Sequence, residues 1–137
     1  MDVYLAGYAN EDWRDEFIKQ ISDDINVFDP IVHRYHEFSE EEYSNHVAKE
    51  LELAETSELI VFYFDENWKS YFSMIQFGDI VGRGKQVIVC IPNKIESEEK
   101  IRLYCEYRGI VITESLEELI PSVESILAEK ELCEIVY

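Results

Sequence analysis

The sequence predicts an α/β fold: a parallel sheet of about five strands with helices on both faces. Three observations lead there. Strand-sized apolar runs alternate with segments of helical period along the whole chain, each β-to-β step being long enough for a crossover. The run Leu59-Ile60-Val61-Phe62-Tyr63-Phe64 is almost continuously apolar, as expected of a strand buried on both faces. And no linker, repeat or low-complexity tract divides the 137 residues, so residues 1–137 read as one domain.

The first strand is Asp2 to Ala6, stopped by Gly7. Asn10 is placed to cap a helix whose Trp13, Phe17, Ile18 and Ile21 fall on one face. Ile25 to Phe28 give the second strand, closed by Asp29-Pro30, and a polar-aromatic loop follows from Ile31 to Phe38. Ser39 with Glu42 forms a capping box that opens a helix to about Glu55, with Tyr43, Val47, Leu51 and Ala54 at helical spacing. After the central strand comes Asp65 to Lys69, then a helix from Ser70 or Ser73 to Val81 that Gly82 and Gly84 terminate. Gln86 to Ile91 form the fourth strand, Ser97 to Tyr107 a charged helix, and Ile110 to Ile112 a fifth strand after Gly109. Ser115 with Glu118 repeats the capping box, Pro121 is expected to interrupt the last helix early, and Leu132 to Tyr137 show no period.

Composition narrows the function classes. Apolar residues make up 47% and aromatics 13%, enough for a core despite the charge. Twelve Lys and Arg face thirty Asp and Glu, a net charge of -18, which repels phosphate backbones and anionic lipid. No nucleic-acid partner and no membrane partner is expected. Apolar runs are strand-sized, and Met1-Asp2 does not open a signal peptide. Three cysteines without CxxC spacing fit a reduced, cytoplasmic protein.

In such sheets ligands sit beyond the carboxyl ends of the strands. Here those ends are Gly7-Tyr8-Ala9-Asn10, Asp29-Pro30 with its loop, Asp65 to Lys69, and Pro92-Asn93. Gly7-Tyr8-Ala9-Asn10 lacks a dinucleotide GxGxxG; its amides are able to hold an anion or a sugar hydroxyl, or to form a plain strand-to-helix turn. His33 and His36 flank Arg34 and Tyr35, but no third ligand converges with them, so they read as pocket lining and no metal or cofactor is expected. His46 and Glu50, one helical turn apart, read as a surface pair, and Cys90 as core. Glu40-Glu41-Glu42 and Glu117-Glu118 are explained by the helix dipole. The densest polar-aromatic stretch is Asp65 to Asp79. In it Gln76 and Asp79 are three apart on a helix, and Gly78 between them admits a close backbone or ligand, or simply packs the helix on the sheet.

At this stretch a resemblance emerges. Val3-Tyr4-Leu5-Ala6-Gly7, Glu11-Asp12-Trp13-Arg14, Phe28-Asp29-Pro30, the run Leu59 to Phe64, Ser73-Met74-Ile75-Gln76-Phe77-Gly78 and Gly84-Lys85-Gln86-Val87-Ile88-Val89 follow in an order and spacing that resemble the nucleoside 2-deoxyribosyltransferase-like family over about residues 2 to 120. The tail Ile135-Val136-Tyr137 is similar to members whose C-terminal tyrosine reaches a neighbouring subunit's sugar site. The resemblance implies a flavodoxin-like sheet and cleavage of an N-glycosidic bond by a glutamate on the helix after the third strand, oriented by a strand tyrosine that Tyr4 matches. A carboxylate suits that task because it stabilises or traps an oxocarbenium-like centre.

The family motif runs Ser, two apolar residues, Glu, an apolar residue, Gly, and this chain has Gln76 in place of the glutamate. A carboxamide neither attacks an anomeric carbon nor offsets positive charge, but it both donates and accepts hydrogen bonds. The resemblance therefore implies a nucleoside- or nucleotide-binding protein, with transferase or hydrolase activity weak or lost. Tyr4, Gly7, Tyr8, Asp29, Pro30, Asp65, Trp68, Ser73, Gln76 and Gly78 would line its pocket, and Trp68 or Phe28 would stack on a base. The alternatives are an active deoxyribosyltransferase or N-glycohydrolase using Asp65, Glu66 or Asp79, a non-enzymatic sequestering protein for a nucleotide-derived molecule, and an acidic interaction domain without a ligand. Only Arg34, Lys69 and Arg83 stand near the expected site to meet a phosphate, which favours nucleosides over polyphosphates. A homo-oligomer is expected, since the family commonly completes its sites across subunits.

Overall fold

The computed structural model describes residues 1–7, 12–30, 37–66 and 71–136. Among them five strands form one all-parallel sheet: β1 (Asp2–Gly7), β2 (Asn26–Phe28), β3 (Leu59–Tyr63), β4 (Val87–Cys90) and β5 (Val111–Thr113). Their spatial order is β2-β1-β3-β4-β5, the flavodoxin-like order. The helices are α1 (Trp13–Gln20), α2 (Glu40–Thr56), α3 (Tyr71–Gly82), α4 (Glu98–Tyr107) and α5 (Leu116–Val136).

Alternating strand side chains feed two cores. Val3, Leu5, Val61 and Ile88 pack with Trp13 and Phe17 of α1 and Leu119, Val123 and Leu127 of α5. Tyr4, Ala6, Ile60, Phe62 and Val89 pack with Ala54 of α2, Phe77 and Ile80 of α3 and Cys105 of α4. β3 and β4 are buried on both faces, which is why they read as unbroken apolar runs.

The first expected capping box forms in full and the second only in half. Ser39 Oγ accepts from the Glu42 amide at 3.2 Å while the Glu42 carboxylate accepts from the Ser39 amide at 3.4 Å. Ser115 Oγ accepts from the Glu118 amide at 3.2 Å, but the Glu118 carboxylate turns to the Glu114 amide.

Three local expectations are corrected. Ile18 is exposed, leaving Trp13, Phe17 and Ile21 as the buried side of α1. Pro121 does not interrupt α5, which runs unbroken to Val136. The proline forfeits only the bond to the Glu117 carbonyl, and Leu119, Ile120, Val123 and Leu127 anchor the helix to the sheet on both sides of it. On α2, Tyr43 and Leu51 are about half exposed, and the inward arc is His46, Val47, Glu50, Leu53 and Ala54. The stripe at 43, 47, 51 and 54 is thus divided between two faces.

Candidate functional site

The carboxyl end of β1 lies at the point where strand order reverses, with β2 on one side and β3 on the other. Gly7 makes that junction tight. Its φ is +104°, and a Cβ there would sit 2.2 Å from the Tyr63 carbonyl oxygen of β3.

On the other side β1 outlasts its neighbour. β2 ends at Phe28 opposite Tyr4, and Asn26 N–H bonds the Met1 carbonyl. Because carbonyl direction alternates with period two, those of Leu5 and Gly7 point to the same side, past the end of β2. Arg14, in the first turn of α1 and almost wholly buried, supplies the missing donors. Its Nη2 lies 3.5 Å from Leu5 O and 3.4 Å from Gly7 O, and its Nε 3.3 Å from the Asp29 carboxylate. The guanidinium also lies 4.5 Å from the centre of the Trp13 ring, which stacks on Tyr63 at 4.5 Å and 8°. Burial pushes the guanidinium down to about 10, against which Asp29, Tyr4 and Glu50 favour its charge, so it remains cationic at neutral pH.

Tyr4 is 1% exposed, and burial pushes its phenol up to about 12. The Gln76 carboxamide and Arg14 oppose that rise, whereas Glu50 and Asp29 reinforce it. Gln76 is on the inner face of α3 with Ser73, Phe77 and Ile80 and is 6% exposed. It interacts with the Tyr4 hydroxyl, yet in a geometry that leaves its buried Nε2 without a proper hydrogen-bond partner among the described residues. An amide nitrogen in that state is a donor held ready for something else.

Behind Tyr4, on α2, the Glu50 carboxylate lies 3.3 Å from His46 Nε2. Burial pushes Glu50 above the ordinary carboxylate range, with His46 and Arg14 offsetting part of the rise. The pair belongs to the inward arc of α2 and not to the open surface. The sequence reading gave neither a site role, Arg14 standing only within a quoted motif and Glu50 only in a surface pair with His46; the signal for Glu50 was its place three residues after Val47 and four before Ala54, on one helix face.

The remaining candidates divide. Asp65 is buried at the end of β3 and accepts from Asn93 Nδ2 at 3.2 Å, tying the ends of β3 and β4 together. Ser73 is buried one turn before Gln76. Asp29 and Pro30 follow β2, with Asp29 held by Arg14. Glu66 is exposed. Asp79 is exposed and paired with Arg83 at 3.0 Å, outside the group that acts on Tyr4. Gly78 is on the outer side of α3, where an added Cβ meets nothing within 4 Å, so it contacts neither the sheet nor this cluster. Tyr8 and Trp68, with Asn10, His33, Arg34, Tyr35, His36, Lys69 and Tyr137, lie outside the described residues.

No three His, Cys, Asp or Glu among the described residues are grouped to hold a metal. Cys90 and Cys105 are core thiols that burial pushes up to about 11. Two clefts, of about 450 and 430 Å³, open at the opposite, amino-terminal end of the strands, around Ile25 and Glu124 and around Glu58 and Gly84. No helix among the described residues is long and apolar enough to cross a membrane.

The cluster thus offers one paired guanidinium, a neutral phenol, a neutral carboxamide, and carboxylates at Glu50 and Asp29. Residues 1–94 match the family model described as nucleoside 2-deoxyribosyltransferase like. No curated protein matches. Among solved structures, a conserved protein from Enterococcus faecalis V583 superposes with a TM-score of 0.62 at 14% identity, covering 91% of this chain and 98% of that one, which establishes likeness of fold.

Proposed function

The chain belongs to the nucleoside 2-deoxyribosyltransferase-like family, and we propose that it is a nucleoside- or nucleotide-binding member whose N-glycosidic transferase or hydrolase activity is weak or lost. The observation that carries this reading is Gln76, buried beside Tyr4 with a spare Nε2, at the position where the motif calls for a glutamate. The reaction needs a carboxylate to trap or stabilise an oxocarbenium-like sugar, and a carboxamide does neither. Losing a nucleophile costs several orders of magnitude in rate. Binding tolerates the exchange, because Gln76 Nε2 donates to a sugar or base oxygen that a carboxylate would repel.

The charges favour a neutral nucleoside over a polyphosphate. Arg14 is already engaged by Asp29 and two carbonyls, and Glu50 stands behind Tyr4, so a phosphate dianion gains no free cation from the described cluster.

One test separates the possibilities. The protein is incubated with each common nucleoside, deoxynucleoside and monophosphate, with release of free base and shift in Tm both recorded. The expected result is no base release and stabilisation by one ligand class, about 2.7 kcal/mol when ligand is at a hundred times Kd. Gln76→Glu should then release base from that ligand. No stabilisation by any of them would refute the reading and leave an acidic domain without such a ligand.

A second reading, a working transferase or glycohydrolase, requires a different carboxylate. Asp79 is engaged by Arg83 and Asp65 by Asn93, whereas Glu50 is the carboxylate acting most strongly on Tyr4. Base release by the unmodified protein, abolished in Glu50→Gln, would establish it.

A further inference from the structure

We propose that the cleft at the amino-terminal end of β3 and β4, lined by Lys85 and Lys130, binds a compact oxyanion of the phosphate class. It lies at the end of the sheet opposite the candidate site, and the inference does not depend on which ligand that site takes.

The starting point is where the chain places its few cations. Twelve Lys and Arg are set against thirty Asp and Glu, and a lysine ordinarily keeps its charged head in water. Lys19, Lys49, Lys94 and Lys100 are exposed accordingly. Among the described residues only two lysines are drawn inward, Lys85 just before β4 and Lys130 on α5. Distant in sequence, they line one cleft of about 430 Å³ together with Thr56, Ser57, Glu58 and Gln86.

Neither ammonium is paired with a carboxylate. Lys85 Nζ donates to the Glu55 carbonyl, and Lys130 Nζ to the Glu58 carbonyl at 2.9 Å. The carboxylates of those same glutamates are held elsewhere, Glu55 by Arg83 at 3.8 Å and Glu58 by the Asp2 amide at 2.6 Å. Each ammonium has three donors, so two on each remain beyond its carbonyl. Helix capping accounts for one lysine at most. Ser57 already closes α2, its amide and hydroxyl bonding the Leu53 carbonyl at 3.0 and 2.6 Å, and Lys85 on Glu55 offsets the negative end of the dipole. Lys130 bonds a carbonyl beyond the helix end, which that dipole does not explain.

The donors name the ligand class. The hydroxyls of Thr56 and Ser57 already donate to the Glu52 and Leu53 carbonyls, which leaves two ammonium groups and the Gln86 carboxamide to donate into the cleft. Ammonium groups hold a compact tetrahedral anion as point charges, without the planar fork by which arginine selects a flat carboxylate. A dianion suits the pair, because two cations drawn partly out of water repel each other until an anion comes between them. The net charge of -18 makes the field outside adverse, so the attraction has to be local, and two lysines at one cleft supply it. The cleft has room beyond a phosphate group, so free phosphate and a phosphomonoester present the same chemistry to it.

The test is a titration of the full chain with inorganic phosphate and, separately, with phenyl phosphate, followed by backbone amide NMR shifts. Sodium chloride at matched ionic strength is the reference, since salt alone screens the net charge. Saturable shifts centred on Ser57, Lys85 and Gln86 are expected with phosphate and absent with chloride. Tighter binding of phenyl phosphate would assign the cleft to esters, and no tighter binding to the free anion. Lys85→Gln and Lys130→Gln keep a donor for the carbonyl but lose the charge, and each should weaken binding at least ~tenfold. Lys100→Gln, at an exposed lysine, should leave it unchanged. Lys85 meets the end of a helix, so Lys85→Gln alone decides the matter if Lys130→Gln loosens α5. Shifts that do not saturate, that centre on Tyr4 and Gly7 instead, or that survive loss of the lysine charge overturn the proposal.

Discussion

Replacing Gly7 by alanine tests how closely the β1–β3 junction is built. Two costs add. The first is conformational: φ of +104° lies beyond the left-handed helical well that other residues occasionally use, at about 1–3 kcal/mol. The second is steric. The new methyl would lie 2.2 Å from the Tyr63 oxygen and 2.8 Å from its nitrogen, both backbone atoms, so β1 and β3 must part at their last paired residues. Losing one or two ladder contacts there costs about 1–3 kcal/mol. The sum, about 2–6 kcal/mol, is a large share of the 5–15 kcal/mol typical of a domain. Gly84→Ala is the control: its φ is +75° but nothing lies within 4 Å, so only strain of about 1–2 kcal/mol remains. Urea unfolding of both variants measures the difference. If Gly7→Ala falls within about 1 kcal/mol of Gly84→Ala, the tight junction is refuted.

Arg14→Met keeps the bulk of the side chain but strips the donors from Leu5 O and Gly7 O and the partner from Asp29. With long hydrogen bonds and a partly solvated carboxylate, urea unfolding should register a loss of about 2–3 kcal/mol, and less than 1 would contradict the proposed role in finishing β1. For Glu50→Gln the sign follows from burial. Its folded pKa is raised, so the native state gains protons that the unfolded chain has released, and stability falls as pH rises from the ordinary carboxylate value of 4.5 through the raised one. Removing the charge should therefore raise Tm at pH 7 and leave it unchanged near pH 4; a lower Tm at pH 7 would mean that the His46 pairing outweighs desolvation.

The central strands were legible because a parallel sheet covered on both faces buries their side chains, so hydrophobicity alone marks them: Leu59 to Tyr63 and Val87 to Cys90 are buried without exception. The helix after β2 was legible as a helix but not in its rotation. Tyr43, Val47, Leu51 and Ala54 repeat at helical spacing, yet they spread over a wide arc, and the half that turns inward is fixed by what it meets. There Tyr4 and Arg14 act on Glu50, which pairs in turn with His46. Pro121 misled for the opposite reason: a local rule about one missing N–H gave way to burial of Leu119, Ile120, Val123 and Leu127 against the sheet.

The site was legible where chemistry sits at a fixed helical offset and hidden where it depends on relative lengths. Gln76 shares a helix face with Ser73, and spacing alone turns it inward. Arg14 acts because β2 ends while β1 continues, which only the pairing register reveals. Taken together these residues account for the exchange at 76. Arg14 is a single cation facing two carboxylates, Asp29 and Glu50, around a phenol that burial already holds neutral. A glutamate at 76 would add a third negative charge among buried groups, and one of the carboxyl groups would have to keep its proton. A glutamine removes that conflict and retains a donor. The carboxamide at 76 thus relaxes the electrostatics around Tyr4, and under the proposed function the same exchange would favour binding over cleavage.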